Sequence, residues 1–444
     1  MYLTFSNLTL EQRVTFINNK RHPEHELTMK KHLTGFLLFT VISIQCFAQD
    51  PAAQKYAAEI NAKRTKKHLK VLASDKYEGR ETGKRGAEMA AAYLAREFKR
   101  LKLIAPVNGS YLQDVELIET SIVVNSLEVN GNKLQYGTEF TFSGSGEAKV
   151  INTNEITFIG SGTESDLKNT SIADKVVLLK QEGEAAEITR RLNFVKNKKP
   201  KLIIAVNVNK ARTPHSHLSG ASLSVKNGIR ESAPMRENSP GVILIETEIA
   251  DKILLRTGKT IGKLNADDGS QLIKADIKLA YEPVKRELQS SNVLGYLEGT
   301  DLKDELLVYS AHYDHIGLNP DGGKDKVFNG ADDDASGTSG VLAIARAFAK
   351  AKKEGNGPRR SILFLMLTGE EKNLLGSEYY SLNPVFPFAK TITNLNVDMI
   401  GRIGEEYQSS PDSTNYCFLV GADRLSTDLH KISENANAVY TRMK

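Results

Sequence analysis

The run Ser361-Ile362-Leu363-Phe364-Leu365-Met366-Leu367 limits the fold of this chain more than any other stretch. It is apolar at every position after the first and has strand rather than helix length. It therefore reads as a strand buried on both faces, the central strand of a parallel sheet. Parallel neighbours need crossover helices, and the flanking sequence supplies them. Asn292–Glu298 and Leu306–Tyr309 read as strands, and Ser339–Lys352 reads as a helix after a Gly-rich loop. Residues 371–380 read as a helix and Thr393–Met399 as a further strand. This alternation predicts an α/β fold: a doubly wound sheet with helices on both faces. Such sheets bind ligands beyond the carboxyl ends of their strands.

With 444 residues the chain exceeds one typical core, so two domains are expected. Residues 51–72 read as one helix and Ala87–Leu101 as another, joined by a polar loop, 73–86, with three glycines. That loop either connects the helices or lines a cleft. Between about 143 and 283 the texture turns β-rich, with short runs such as Glu155–Ile159, Lys175–Leu179, Leu202–Val206 and Gly241–Ile245. One helix-like segment, Glu184–Phe194, lies among them. This part reads as a separate domain without chemistry of its own, and His215 and His217 in its Ser-rich loop read as solvated surface.

At the N-terminus, Met29-Lys30-Lys31 precedes the apolar stretch Leu33–Ile44 and the small residues ending at Ala48. This is the pattern of a secretory signal peptide over 29–48, with 1–28 as a non-native extension. The apolar core is shorter than the ~20 residues a bilayer needs, so no permanent membrane span is expected and the mature protein is placed in the periplasm or outside the cell. Cleavage would leave Cys417 as the single cysteine and hence no internal disulfide. The formal charge of +5 comes without any long basic block, which excludes nucleic acid as an expected partner.

Four acid- or His-bearing segments fall at the strand ends and helix starts. They are His312-Tyr313-Asp314, Asp332-Asp333-Asp334 before a helix, Glu370-Glu371 after the central strand, and Asp398. Singly each has an ordinary reading: a helix cap, a first helical turn, a strand end. Together they are a set of carboxylates that needs a cation to offset its repulsion. One His with several carboxylates suits zinc first, then cobalt or manganese. The surplus of carboxylates points to two ions about 3.5–4 Å apart sharing one of them, a pair that activates water and polarises a carbonyl. Adjacent glutamates allow one to bind metal while the other takes a proton.

His312-Tyr313-Asp314, Gly330-Ala331-Asp332-Asp333-Asp334-Ala335-Ser336-Gly337, Gly369-Glu370-Glu371 and Asn396-Val397-Asp398-Met399 resemble, in order and rough spacing, the co-catalytic dizinc aminopeptidases. This is the bacterial leucyl aminopeptidase and aminopeptidase Y type, with glutamate carboxypeptidase II and glutaminyl cyclases as relatives. The resemblance extends to Leu72–Asp75, Glu78-Gly79-Arg80 and Thr82-Gly83, and to 143–283 as a protease-associated insert between catalytic parts 49–142 and 284–444. It implies that His312 and Asp398 hold one zinc, Asp333 bridges, Glu371 binds the second zinc, Glu370 is general base and Asp314 orients His312. Peptides are the implied substrates, and the implied fold is an α/β one with a mixed, mostly parallel sheet and helices on both faces.

The family's second zinc takes a further His from a later Ser-Asp-His type motif. Beyond Asp398 the sequence offers His430, in a stretch that reads as a surface helix, so a C-terminally truncated chain is expected. Carboxypeptidase or glutaminyl cyclase activity stays open as an alternative, although the absence of Trp disfavours the cyclase. A peptide-binding remnant with one incomplete metal site is the third reading.

Overall fold

The computed structural model describes residues 49–144, 148–208, 222–229, 239–265, 270–319 and 323–444. The expected signal segment and the loop with His215 and His217 lie outside these residues. No helix among those described is long and apolar enough to cross a membrane.

Two helices, α1 (Pro51–Ala57) and α2 (Ala62–Leu72), stand where one was expected. Asn61 accounts for the break, because its side chain accepts the Arg64 N–H and starts a new helix there. A 3₁₀ segment, Asp75–Arg80, leads into α3 (Arg85–Arg100). Then come β1 (Leu112–Val129), β2 (Asn132–Lys133), β3 (Phe140–Ser143), β4 (Lys149–Phe158) and β5 (Val176–Gln181). Helix α4 (Ala185–Asn197) precedes β6 (Leu202–Asn207), β7 (Ser222–Val225), β8 (Gly241–Glu246) and α5 (Thr247–Leu254). The strand β9 (Gln271–Leu297) is followed by β10 (Leu302–His312), α6 (Ala335–Lys353) and β11 (Arg360–Leu367). The last elements are α7 (Leu375–Leu382), β12 (Thr391–Asn396), α8 (Ala422–Leu425) and α9 (Thr427–Ala436).

The sheet is mixed, as expected, and runs β12-β10-β11-β9-β4-β5-β6-β8-β3. β10 lies parallel to both β11 and β12, while β9 is antiparallel to β11. A second parallel array, β4-β5-β6-β8, fills the other end, and β1 lies antiparallel along β9 from Leu112 against Val293 to Val129 against Ile277.

Burial on both sides explains the apolar run in β11. Ile362, Phe364 and Met366 pack with Leu94 and Phe98 of α3 and Val341, Leu342 and Ala345 of α6. Leu363 and Leu365 face the opposite way, onto Leu306, Val308, Leu294 and Tyr380. Period-two alternation across a sheet with two covered faces leaves no position for a polar side chain.

This arrangement sets three strand ends side by side. His312 closes β10 opposite Leu367 of β11, and Ser310 lies opposite Asn396 of β12. The residues immediately beyond, 313–315, 368–371 and 397–398, therefore emerge at one edge of the sheet, where the start of α6 also arrives.

Candidate metal centre

His312 is 3% exposed and its Nε2 faces three carboxylates. Asp333 Oδ1 lies at 3.1 Å, Asp398 Oδ1 at 3.7 Å and Glu370 Oε2 at 3.9 Å. Donors about 2.0–2.2 Å from one tetrahedral zinc stand about 3.3 Å apart, a spacing that the two Asp distances bracket. Its other nitrogen, Nδ1, lies 3.2 Å from the main-chain oxygen of Asp314 and 3.6 Å from the Asp314 carboxylate. Thr338 donates to the His312 carbonyl at 2.7 Å, fixing the residue to the first turn of α6.

Asp314 has a second task. Its fully buried carboxylate accepts the Thr82 hydroxyl at 2.9 Å and the N–H groups of Glu370 and Glu371 at 3.1 and 3.4 Å. It therefore docks the loop that carries both glutamates. That loop also corrects an expectation: residues 371–374 precede the helix, which begins at Leu375. Asn373 and Leu374 take left-handed backbone angles while Leu375 and Gly376 donate back to Gly369 and Thr368, closing a tight turn instead of a first helical turn.

The three successive aspartates divide their roles. Asp334 caps α6, accepting Gly337 N–H at 2.8 Å and Met399 N–H at 3.2 Å, and burial pushes its carboxyl well above the usual range. Asp332 accepts the Gly401 N–H at 2.8 Å. Both thereby tie the segment after β12 to the start of α6. Asp333, between them, reaches His312, whose hydrogen bond holds its carboxyl below the ordinary value.

Among the described residues two groups can hold a metal ion: His312, Asp333 and Asp398, and His315, Asp333 and Glu371. Asp333 is common to both. His430, in α9, belongs to neither. Glu370, beside the first group, is pushed up, first by burial and then by Asp314, Glu371 and Asp398 against the opposing pull of His312.

Two residues here were given no role from the sequence. His315 follows Asp314 directly, and its Nδ1 lies 2.6 Å from Glu371 Oε1. Arg80 is 0% exposed and donates to four main-chain oxygens, those of Tyr313, Leu72, Asn329 and Gly330, at 2.6–2.8 Å. Burial lowers its guanidinium to about 10, against the raising pull of Asp314, Asp334, Asp333 and Glu371, so it stays charged at neutral pH.

The donor set fits zinc: an imidazole nitrogen set among carboxylate oxygens at ligand spacing. Without the ion the nitrogen must carry a proton instead. Burial disfavours that charge, yet hydrogen bonds to Asp314, Asp333 and Asp398 outweigh it and raise the His312 pKa far above its ordinary value. Zinc must displace this proton, so its affinity should rise about tenfold per pH unit through neutrality with about one proton released. Calorimetry in two buffers of different ionisation enthalpy measures the release, and a net value near zero would contradict the picture.

Residues 292–442 match the model of Peptidase family M28. "Aminopeptidase NAALADL1" of Rattus norvegicus is 34% identical over 112 residues, 25% of this chain and 14% of that protein. A "Probable zinc metalloprotease" of Pyrenophora teres f. teres is 28% identical over 153 residues, 34% of this chain and 30% of that protein. The matches thus span less than a third of these relatives' own lengths. Among solved structures, BSAP, a zinc aminopeptidase from Bacillus subtilis, superposes with a TM-score of 0.51 at 19% identity, covering 85% of this chain and 77% of its own. That likeness concerns the fold, and His312, Asp333, Glu370, Glu371 and Asp398 all lie within the stretch 292–442 that matches Peptidase family M28.

Proposed function

We propose that this chain is a zinc metallopeptidase, and more narrowly an exported aminopeptidase that removes N-terminal residues from peptides. The observation that carries the reading is Asp333 standing in both ligand groups, with Glu370 beside the first of them. His312 and Asp398 would hold one ion, Glu371 a second, and Asp333 both. Bound zinc would polarise the scissile carbonyl and lower the pKa of water toward ~7.

The chain's own residues do the rest. Glu370 takes the proton of the attacking water and returns it to the leaving amine. Its raised pKa suits this role, because a base closer to neutrality can also act as the acid. Asp314 keeps the Glu370 loop against β10, so base and ligands hold one geometry. Export rests on the signal-like segment 29–48, and the aminopeptidase reading draws on the names of the relatives.

The test is release of N-terminal amino acids from peptide amides, compared with N-acetylated peptides and with carboxypeptidase substrates. Release from free amino termini that stops with chelator and returns with zinc is expected. Turnover that survives full metal removal, or that prefers blocked termini, refutes the proposal.

A further inference from the structure

His315 lies outside the ligand set implied by the resemblance, yet every part of it is tied down. Its N–H donates to the Arg80 carbonyl at 3.2 Å, within a bridge to Glu81. Its ring packs against Gly330, where a Cβ would come within 2.5 and 2.6 Å of the ring's Cγ and Cδ2. Nδ1 lies on the other side of the ring from Cδ2, 2.6 Å from Glu371 Oε1.

That distance separates two roles. Two donors on one tetrahedral zinc stand about 3.3 Å apart, as His312 Nε2 and Asp333 Oδ1 nearly do at 3.1 Å. The shorter 2.6 Å is a hydrogen-bond length. An ionised carboxylate only accepts, so Nδ1 carries the proton and donates it. Glu371 is then gripped at both ends, its N–H by Asp314 and its carboxylate by His315.

We propose that His315 is the positioning residue for Glu371. It occupies Oε1 and leaves Oε2 as the single oxygen presented to the second ion. The inference rests on the proposed role of Glu371 as a ligand of that ion.

The test titrates the metal-free full chain with Zn2+ alone, by calorimetry, in wild type, His315→Ala and His315→Asn. Asn places an amide N–H near the position of Nδ1 but offers zinc no imidazole. Loss of a hydrogen-bonded outer partner weakens metal binding by roughly 10–100-fold. The second ion should weaken by that factor in His315→Ala, with the first unchanged, and His315→Asn should recover most of the loss. If Asn fails as badly as Ala, His315 is itself a ligand and the positioning role is overturned. If Ala binds two ions like wild type, His315 has no role at the site. A wild type that takes up fewer than two ions instead overturns the two-ion reading, and this proposal with it.

Discussion

Glu370→Gln should keep both ions and lose turnover by about 10²–10⁴-fold, the span that a positioned general base contributes. The amide preserves the size of the side chain but cannot take a proton from water. Glu370 stands 3.9 Å from His312 Nε2, farther than Asp333, so removing its charge leaves the ligand groups whole. Metal content by elemental analysis and kcat/KM on the same preparation separate the two effects. A Gln variant that loses metal makes Glu370 a ligand, and one that keeps turnover removes it as the base.

Arg80→Met should cost stability of about 3–5 kcal/mol, because it leaves four main-chain carbonyls without their donor, each about 1–3 kcal/mol when buried. Methionine replaces the apolar stem of the side chain but offers no N–H to the oxygens of Leu72, Tyr313, Asn329 and Gly330. Those oxygens belong to three separate segments, two of which flank the metal groups. Arg80→Lys keeps the charge and should be only partly protective, because an ammonium cannot fork to four carbonyls in one plane. Urea denaturation of the metal-free chain measures both, which keeps zinc binding out of the comparison. A loss below about 1 kcal/mol for Met would show that the four carbonyls find water instead.

What the sequence disclosed follows from where the information lies. The apolar run Ser361–Leu367 announces a doubly covered strand because burial of both faces is written in each residue. Asp333 was legible because the residues around it, Asp334-Ala335-Ser336-Gly337, resemble a dizinc aminopeptidase motif, and the structure puts it in both groups that can hold a metal ion. Arg80 was not legible as a clasp, since its partners are main-chain oxygens that have no side-chain signature. His315 was hidden for a related reason. Its partner Glu371 lies on another strand's loop, and nothing local to either residue specifies the meeting. The break at Asn61 was available in principle, because Asn at a helix start is a known cap, but an Ala- and Lys-rich surround masks it.

The pairing of β1 with β9 has a consequence for the order in which the molecule assembles. Its rung nearest in sequence joins Val129 to Ile277, and closing so long a loop costs about 3 kcal/mol more than closing a turn of a few residues. β4 also pairs with β9, Lys149 against Tyr281. Once that pair exists, the stretch left to close runs only from Val129 to Lys149. The middle of the chain then acts as a splint. Once its own rung from Phe158 to Gln271 has closed, it presents β9 to β1 across a short stretch, and β9 in turn gives β11 and β10 the edge on which the candidate metal ligands line up.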